Sequence, residues 1–168
     1  MSETLPWEYR DALGYDGLPV NEEEAIRIVK NVGVHASNSL GDTPLSTAAM
    51  LGRTTTIQWL LRNGAAVDYV VPDSRGKTPL LWACDQKRLS SAAVLLDSGA
   101  NIEATDRFGN TPLAATFVNC FTDPLPLATL LIRRGAVISA RVKDHGNRWD
   151  QERFSDFLVE MESDETRA

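Results

Sequence analysis

Two short phrases recur along this chain at one spacing, and the recurrence limits the folds open to it more than any other feature. Thr-Pro-Leu stands at Thr43-Pro44-Leu45, Thr78-Pro79-Leu80 and Thr111-Pro112-Leu113, in steps of 35 and 33 residues. Leu-Leu followed by Gly-Ala keeps the same pace, at Leu60-Leu61/Gly64-Ala65, Leu95-Leu96/Gly99-Ala100 and Leu130-Leu131/Gly135-Ala136. A period of about 33 residues belongs to units of two short helices, each too small to bury its apolar face alone, so that neighbours must stack.

The unit can be read residue by residue. Each Thr is placed to cap a helix whose first residue is Pro, where the missing N–H costs nothing and the fixed φ already suits the helix. Small residues follow, Ala48 and Ala49, Ala83 and Cys84, Ala114 and Ala115, which let neighbouring helices approach closely. The second helix is expected to bury Ile57, Leu60 and Leu61, then Ala93, Leu95 and Leu96, then Leu127, Leu130 and Leu131. Gly64, Gly99 and Gly135 close those helices in the left-handed conformation that Gly reaches without strain. Upstream, Asn21 is placed as a cap, Glu22, Glu23 and Glu24 sit where the helix dipole favours negative charge, and Ala25, Ile28, Val29 and Val32 share one face. Downstream, Phe154, Phe157, Leu158 and Met161 form one apolar face, with Asp150, Glu152, Asp156 and Glu160 left for water.

The phrase Gly-Asp-Thr-Pro-Leu-Ser-Thr-Ala-Ala-Met-Leu-Gly over 41–52, with its two relatives, resembles the ankyrin repeat. The resemblance implies an all-α ankyrin-repeat solenoid of stacked helix pairs with β-hairpin fingers. It implies a single domain over 1–168: a degenerate N-terminal cap at 21–40, three full repeats at 41–140, a C-terminal capping helix at 141–161 and a frayed tail at 162–168. The aromatic segment with Trp7, Tyr9 and Tyr15 either packs on the stack or trails as a mobile tail, and poor hydration of the rings favours packing. The chain also departs from the family pattern. Ser46, Leu81 and Ala114 stand where the family has His, so hydrogen bonds between repeats are lost or replaced. Lys87 stands where a Gly is usual, the connection through Val70-Val71-Pro72 lengthens the second finger, and three extra residues fall around 119–126.

Charge and composition remove several functions. With 43% apolar residues the chain is globular, and its net charge of −6 is terminal: Asp+Glu exceed Lys+Arg by 4 in residues 1–40 and by 3 in 140–168, while 41–139 carry +1. No basic cluster is present for nucleic acid. The N-terminus has acidic residues and no apolar run, so neither a signal peptide nor a membrane span is expected. Cys84 and Cys120 fall at helical positions and read as reduced core thiols, which suits the cytoplasm. His35 and His145 lie at opposite ends of the array, Glu22-Glu23-Glu24 point to different sides of a helix, and no Gly-rich phosphate loop occurs. No enzyme activity, metal or cofactor is expected, and the chain is read as a monomer.

What remains is binding of another protein. The resemblance implies that finger tips and inner helices line a concave surface used for partners. That assigns Ser39 and Asp42 to the first finger, Ser74, Arg75 and Lys77 to the second, and Arg107, Phe108 and Asn110 to the third. Met50, Leu51, Asp85, Gln86, Val118 and Asn119 fall late in the inner helices. Phe108 beside Arg107 has the composition of an interface anchor, unless it packs on the neighbouring finger. Asp73 and Asp106 read as braces of the fingers, and Trp82 as core. A small binding domain of this kind is expected to inhibit or mask its partner, for example as an immunity-type inhibitor of a toxin enzyme. The alternative is an adaptor that joins two partners.

Overall fold

A computed structural model describes residues 4–14, 20–70, 76–118 and 121–165. Along them run α1 (Glu8–Ala12), α2 (Glu22–Val32), α3 (Pro44–Leu51), α4 (Thr54–Arg62), α5 (Pro79–Asp85), α6 (Leu89–Asp97), α7 (Pro112–Thr116), α8 (Leu125–Arg133) and α9 (Ala140–Glu165). Consecutive helices pair, α1 with α2 through to α7 with α8. The inner helices α3, α5 and α7 stack in one row, α2, α4, α6 and α8 in a second, and α9 packs on α7.

Local chemistry starts each inner helix. The hydroxyls of Thr43, Thr78 and Thr111 accept from the N–H groups of Ser46 (3.2 Å), Leu81 (3.3 Å) and Ala114 (3.3 Å). Each such cap is worth about 1 kcal/mol. Ser46 has a second use, because its Oγ accepts from the Thr43 N–H at 2.8 Å and completes a reciprocal box. At the far ends of the outer helices Gly64, Gly99 and Gly135 have φ of 91°, 85° and 92°, as their sequence positions imply.

Core rows follow the repeat. Leu45, Leu80 and Leu113 are buried, as are Ala48, Ala49, Ala83 and Cys84, whose small side chains bring the inner helices together. On the outer helices the fully buried pairs are Ile57/Leu60, Ala92/Leu95 and Ala128/Leu131. This corrects the expected face: Ala92 replaces Ala93, and Leu61, Leu96 and Leu130 are only partly buried. The inward stripe is centred on residues three apart, so the next Leu falls on its flank.

The ends of the stack are more elaborate than single caps. At the N-terminus α1 joins α2 as a helix pair, with Tyr9 and Leu13 buried. The Tyr9 hydroxyl donates to the Pro44 carbonyl at 3.0 Å, and Arg53 Nε donates to the Leu13 carbonyl at 2.7 Å. Trp7 is exposed, and Tyr15 lies outside the described residues. At the C-terminus the expected single capping helix is two segments, because Asp150 has extended backbone (φ −164°, ψ 102°) inside α9. Its Oδ1 accepts from the Arg153 N–H at 3.1 Å and so caps the second segment. Phe154 packs edge-on to Phe117, with ring centroids 5.0 Å apart, and lies over the buried Gly146.

Other side chains supply the links between repeats that a family His would make. Arg88, the counterpart of Arg53, donates from Nε to the Met50 carbonyl at 3.0 Å. In the third repeat that position is Pro124, and the link comes from the opposite direction: Lys87 Nζ donates to the carbonyls of Val118 and Asp85. Lys87 holds a positive φ of 53° to do so. A further ladder joins the finger bases: His35 Nε2 accepts from the Ala66 N–H (3.2 Å), Asp68 Oδ2 from Asn101 (3.0 Å) and Glu103 Oε1 from Val137 (2.9 Å).

Candidate protein-binding surface

The fingers owe their shape to polar turns. In the first, Asn38 Oδ1 accepts from the N–H groups of Leu40 and Asp42, both at 2.9 Å, and Asn38 Nδ2 donates to Asp42 Oδ2 at 3.1 Å. In the third, Asp106 Oδ1 accepts from Phe108 and Asn110, both at 2.9 Å, and Asn110 Nδ2 donates to Asp106 Oδ2 at 3.1 Å. The two turns are one design with amide and carboxylate exchanged. Gly41 and Gly109, each at φ 77°, supply the left-handed residue that this turn needs. The expected β-hairpins of the first and third fingers are therefore braced turns: among the described residues strand pairing is limited to the isolated parallel bridge Thr4–Ser37. Each five-residue turn closes on itself, with Asn38 N–H donating to the Asp42 carbonyl and Asp106 N–H to the Asn110 carbonyl.

Such bracing fixes which side chains stand out. Phe108 is 60% exposed, and the Arg107 guanidinium stacks over its ring at 4.8 Å. Holding the backbone on both sides of Phe108 presents the ring at little conformational cost on binding. Leu40, at the same place in the first finger, is 55% exposed. It is missing from the sequence-derived set, although counting three residues back from each capping Thr finds it. Ser39 is exposed as well.

Other expected positions fare differently. Asp42 is 5% exposed and its carboxylate is used inside the turn, which withdraws its side chain from a partner. Asp106 is buried in the equivalent role of brace. Lys77 and Asp85 pair with each other at 3.1 Å, and Lys77 Nζ lies 4.6 Å from the ring centre of the buried Trp82. Gln86 is exposed and donates to Asp85 Oδ2, while Met50 and Leu51 are half-buried. Val118 lies beyond α7, which ends at Thr116, because the inner helix of the long repeat is shorter. Ser74, Arg75 and Asn119 lie outside the described residues, as do Asp73, Val71, Pro72 and Cys120.

Two side chains from α9 join the third finger without any repeat signal to announce them. Arg141 Nη1 donates to Asn110 Oδ1 at 3.4 Å, and His145 Nε2 lies 3.2 Å from the same oxygen. Burial holds the His145 imidazole below its ordinary pKa, with Asp144 and Asp106 opposing the shift and Arg141 and Arg148 adding to it.

Among the described residues, Cys84 and Tyr9 are held in structural roles. Burial pushes the Cys84 thiol up to about 12, which leaves it protonated and inert at neutral pH. The Tyr9 phenol is likewise driven above its ordinary range by burial. Among the described residues no group of three His, Cys, Asp or Glu could hold a metal ion, and no helix is long and apolar enough to cross a membrane.

Stacked helix pairs with a braced, partly aromatic finger surface define a repeat-built interaction module. A family described as Ankyrin repeats (3 copies) matches residues 20–106, and the chain belongs to it. Human NF-kappa-B inhibitor alpha is 32% identical over 126 residues, which cover 70% of this chain and 38% of that protein. Mouse Ankyrin repeat domain-containing protein 63 is 38% identical over 77 residues, 44% of this chain and 19% of that protein. Caenorhabditis elegans Ankyrin repeat and KH domain-containing protein mask-1 is 37% identical over 76 residues, 45% and 3% respectively. The chain thus spans less than two fifths of the length of each of these relatives.

Proposed function

We propose that this protein binds another protein through its finger tips and the adjoining inner-helix ends, without catalysis, and acts by inhibiting or masking what it binds. The observation that carries the reading is Phe108: an exposed aromatic ring with a guanidinium stacked on it, at the tip of a turn made rigid by Asp106. Aromatic and Arg side chains dominate interface energetics when their backbone is pre-ordered. The name of the relative NF-kappa-B inhibitor alpha supports inhibition as the outcome. An immunity-type protein that neutralises a toxin enzyme is one version of the proposal, in the cytoplasm and acting as a monomer. Ser39, Leu40, Met50, Leu51, Gln86, Arg107, Phe108 and Asn110 form the contact surface in this reading, with Ser74, Arg75 and Asn119 proposed alongside them.

A second reading, an adaptor that joins two partners, draws support from Phe121. This ring is 97% exposed on the α7–α8 connection, beside a cavity of about 420 Å³ lined by Asp85, Gln86, Lys87, Arg88 and Thr122. The deciding experiment is affinity purification of the tagged chain from its native cell, with quantitative mass spectrometry, followed by titration of the chain into each captured protein. One partner at equal stoichiometry whose activity falls on binding supports inhibition. Two partners held simultaneously, one lost on Phe121→Ala, would replace it with the adaptor reading, and the absence of any stoichiometric partner would sink both.

A further inference from the structure

The second finger lies against the third in this stack. A Cβ built on Gly76 would stand 3.2 Å from the backbone nitrogen of Arg107, so the base of the second finger rests on the third. The third finger has no successor. Only three residues separate Gly135 from Ser139, whose Oγ accepts from the Val142 N–H, and α9 begins at Ala140 where a fourth finger would have to be built.

Side chains of α9 border the place left vacant. Arg141 Nη2 would stand 3.6 Å from a Cβ on Gly109, and Arg141 and His145 both meet Asn110 Oδ1. Arg107, on the same finger, is exposed, as is Arg141. The neighbouring carboxylates are already engaged: Asp106 is buried and holds three donors of its own turn, and Asp144 pairs with Arg148 at 3.3 Å. The third finger and the start of α9 therefore carry two exposed guanidinium groups, Arg107 over the Phe108 ring and Arg141 against Asn110, with no ion pair to a carboxylate among the described residues, in a chain whose net charge is −6.

We infer that the vacant place of a fourth finger is a docking site for an acidic turn of the partner protein, which presents a carboxylate to Arg141 and an apolar side chain to Phe108. A turn fits because the first and third fingers are themselves five-residue turns, 38–42 and 106–110, held by their own side chains. The carboxylate follows from charge complementarity, since guanidinium groups bind carboxylates through paired N–H donors. The apolar side chain follows from the exposed face of Phe108. The inference rests on the protein-binding reading above and adds the chemistry of what is bound.

Disulfide-constrained random peptides displayed on phage and selected on the immobilised full chain provide the test. Selected peptides rich in Asp and Glu with an aromatic or aliphatic residue support the inference if, as synthetic peptides, they bind Arg141→Glu at least about tenfold more weakly than the unaltered chain. Raised salt should weaken them further. Arg62→Glu, a reversal of an exposed charge on α4, controls for net charge and should keep binding. A chain with residues 105–110 copied between Val137 and Ile138, which builds the missing finger, should not bind at all. Should that insertion fail to fold, Arg141→Glu still decides. Basic or uncharged winners, no winners, or equal losses in Arg62→Glu and Arg141→Glu would overturn the inference. So would dimerisation of the unaltered chain that Arg141→Glu abolishes, since a second copy would then fill the place. If affinity capture still returns a stoichiometric partner in those cases, the protein-binding reading survives and only the acidic turn is lost.

Discussion

Gly146→Ala should destabilise the protein, although it replaces the poorest common helix residue with the best. Inside α9 the exchange gains about 1 kcal/mol of helix propensity. Against that, the new Cβ would stand 2.5 Å from Cε2 and Cζ of Phe154 and 2.6 Å from its Cδ1. Relief requires the ring to move by about 1 Å, since carbon atoms rest at about 3.5–4.0 Å. The ring is walled in: Phe154 is buried, with Phe117 at 5.0 Å and Phe157 at 6.3 Å between centroids. Overfilling of a packed core costs about 1–3 kcal/mol, so the net loss is up to about 2 kcal/mol, or up to roughly 8 °C in Tm for a domain of this size. Urea and thermal unfolding followed by circular dichroism measure it. In a Phe154→Leu background the same exchange should become neutral or stabilising, because the obstacle is gone. A rise in stability in the unaltered background, or an equal cost in both, would refute the packing assigned to the two C-terminal segments.

Thr56 and Ser91 occupy equivalent outer-helix positions, and each hydroxyl is buried without a hydrogen-bond partner among the described residues. Thr56→Val and Ser91→Ala should therefore each stabilise by about 1 kcal/mol in urea unfolding; destabilisation by either would mean that its hydroxyl is satisfied. Stability should also fall in alkali. Cys84 and Tyr9 have folded pKa values raised by burial above their ordinary 9.0 and 10.0, so the stability they permit is complete below pH 9. It is lost as the unfolded chain releases those protons, by about 1.4 kcal/mol per pH unit for Cys84 alone until its folded value near 12 is reached. Cys84→Ala should flatten the decline between pH 9 and 10, and an unchanged slope would contradict the burial of that thiol.

Legibility in the sequence divided along a physical line. The Thr caps, Pro at the helix start and the closing Gly residues act within four residues of themselves, so Thr43, Thr78 and Thr111 announce the fold without knowledge of anything distant. Fingers were harder. Asp42 and Phe108 both stand beside a turn Gly, yet one is buried as a brace and the other exposed, and only the hydrogen bonds distinguish them: the Asp42 carboxylate accepts from Asn38, while the Phe108 N–H donates to Asp106 and its ring stays exposed. Leu40 was recoverable by register, whereas Arg141 was not, since it reaches Asn110 because a finger is missing. The break at Asp150 was hidden for a related reason. A polar residue beside an apparently continuous apolar face reads as solvent-facing, although its carboxylate starts a new helix.

Binding through the finger tips is the central claim, and equilibrium titration of the captured partner with Phe108→Ala tests it most directly. Phe108 is exposed, so its truncation should leave helicity and Tm unchanged. The predicted result is an affinity lower by at least about tenfold, as for a central aromatic anchor, with Phe121→Ala close to the unaltered chain. An affinity unchanged by Phe108→Ala would contradict the account.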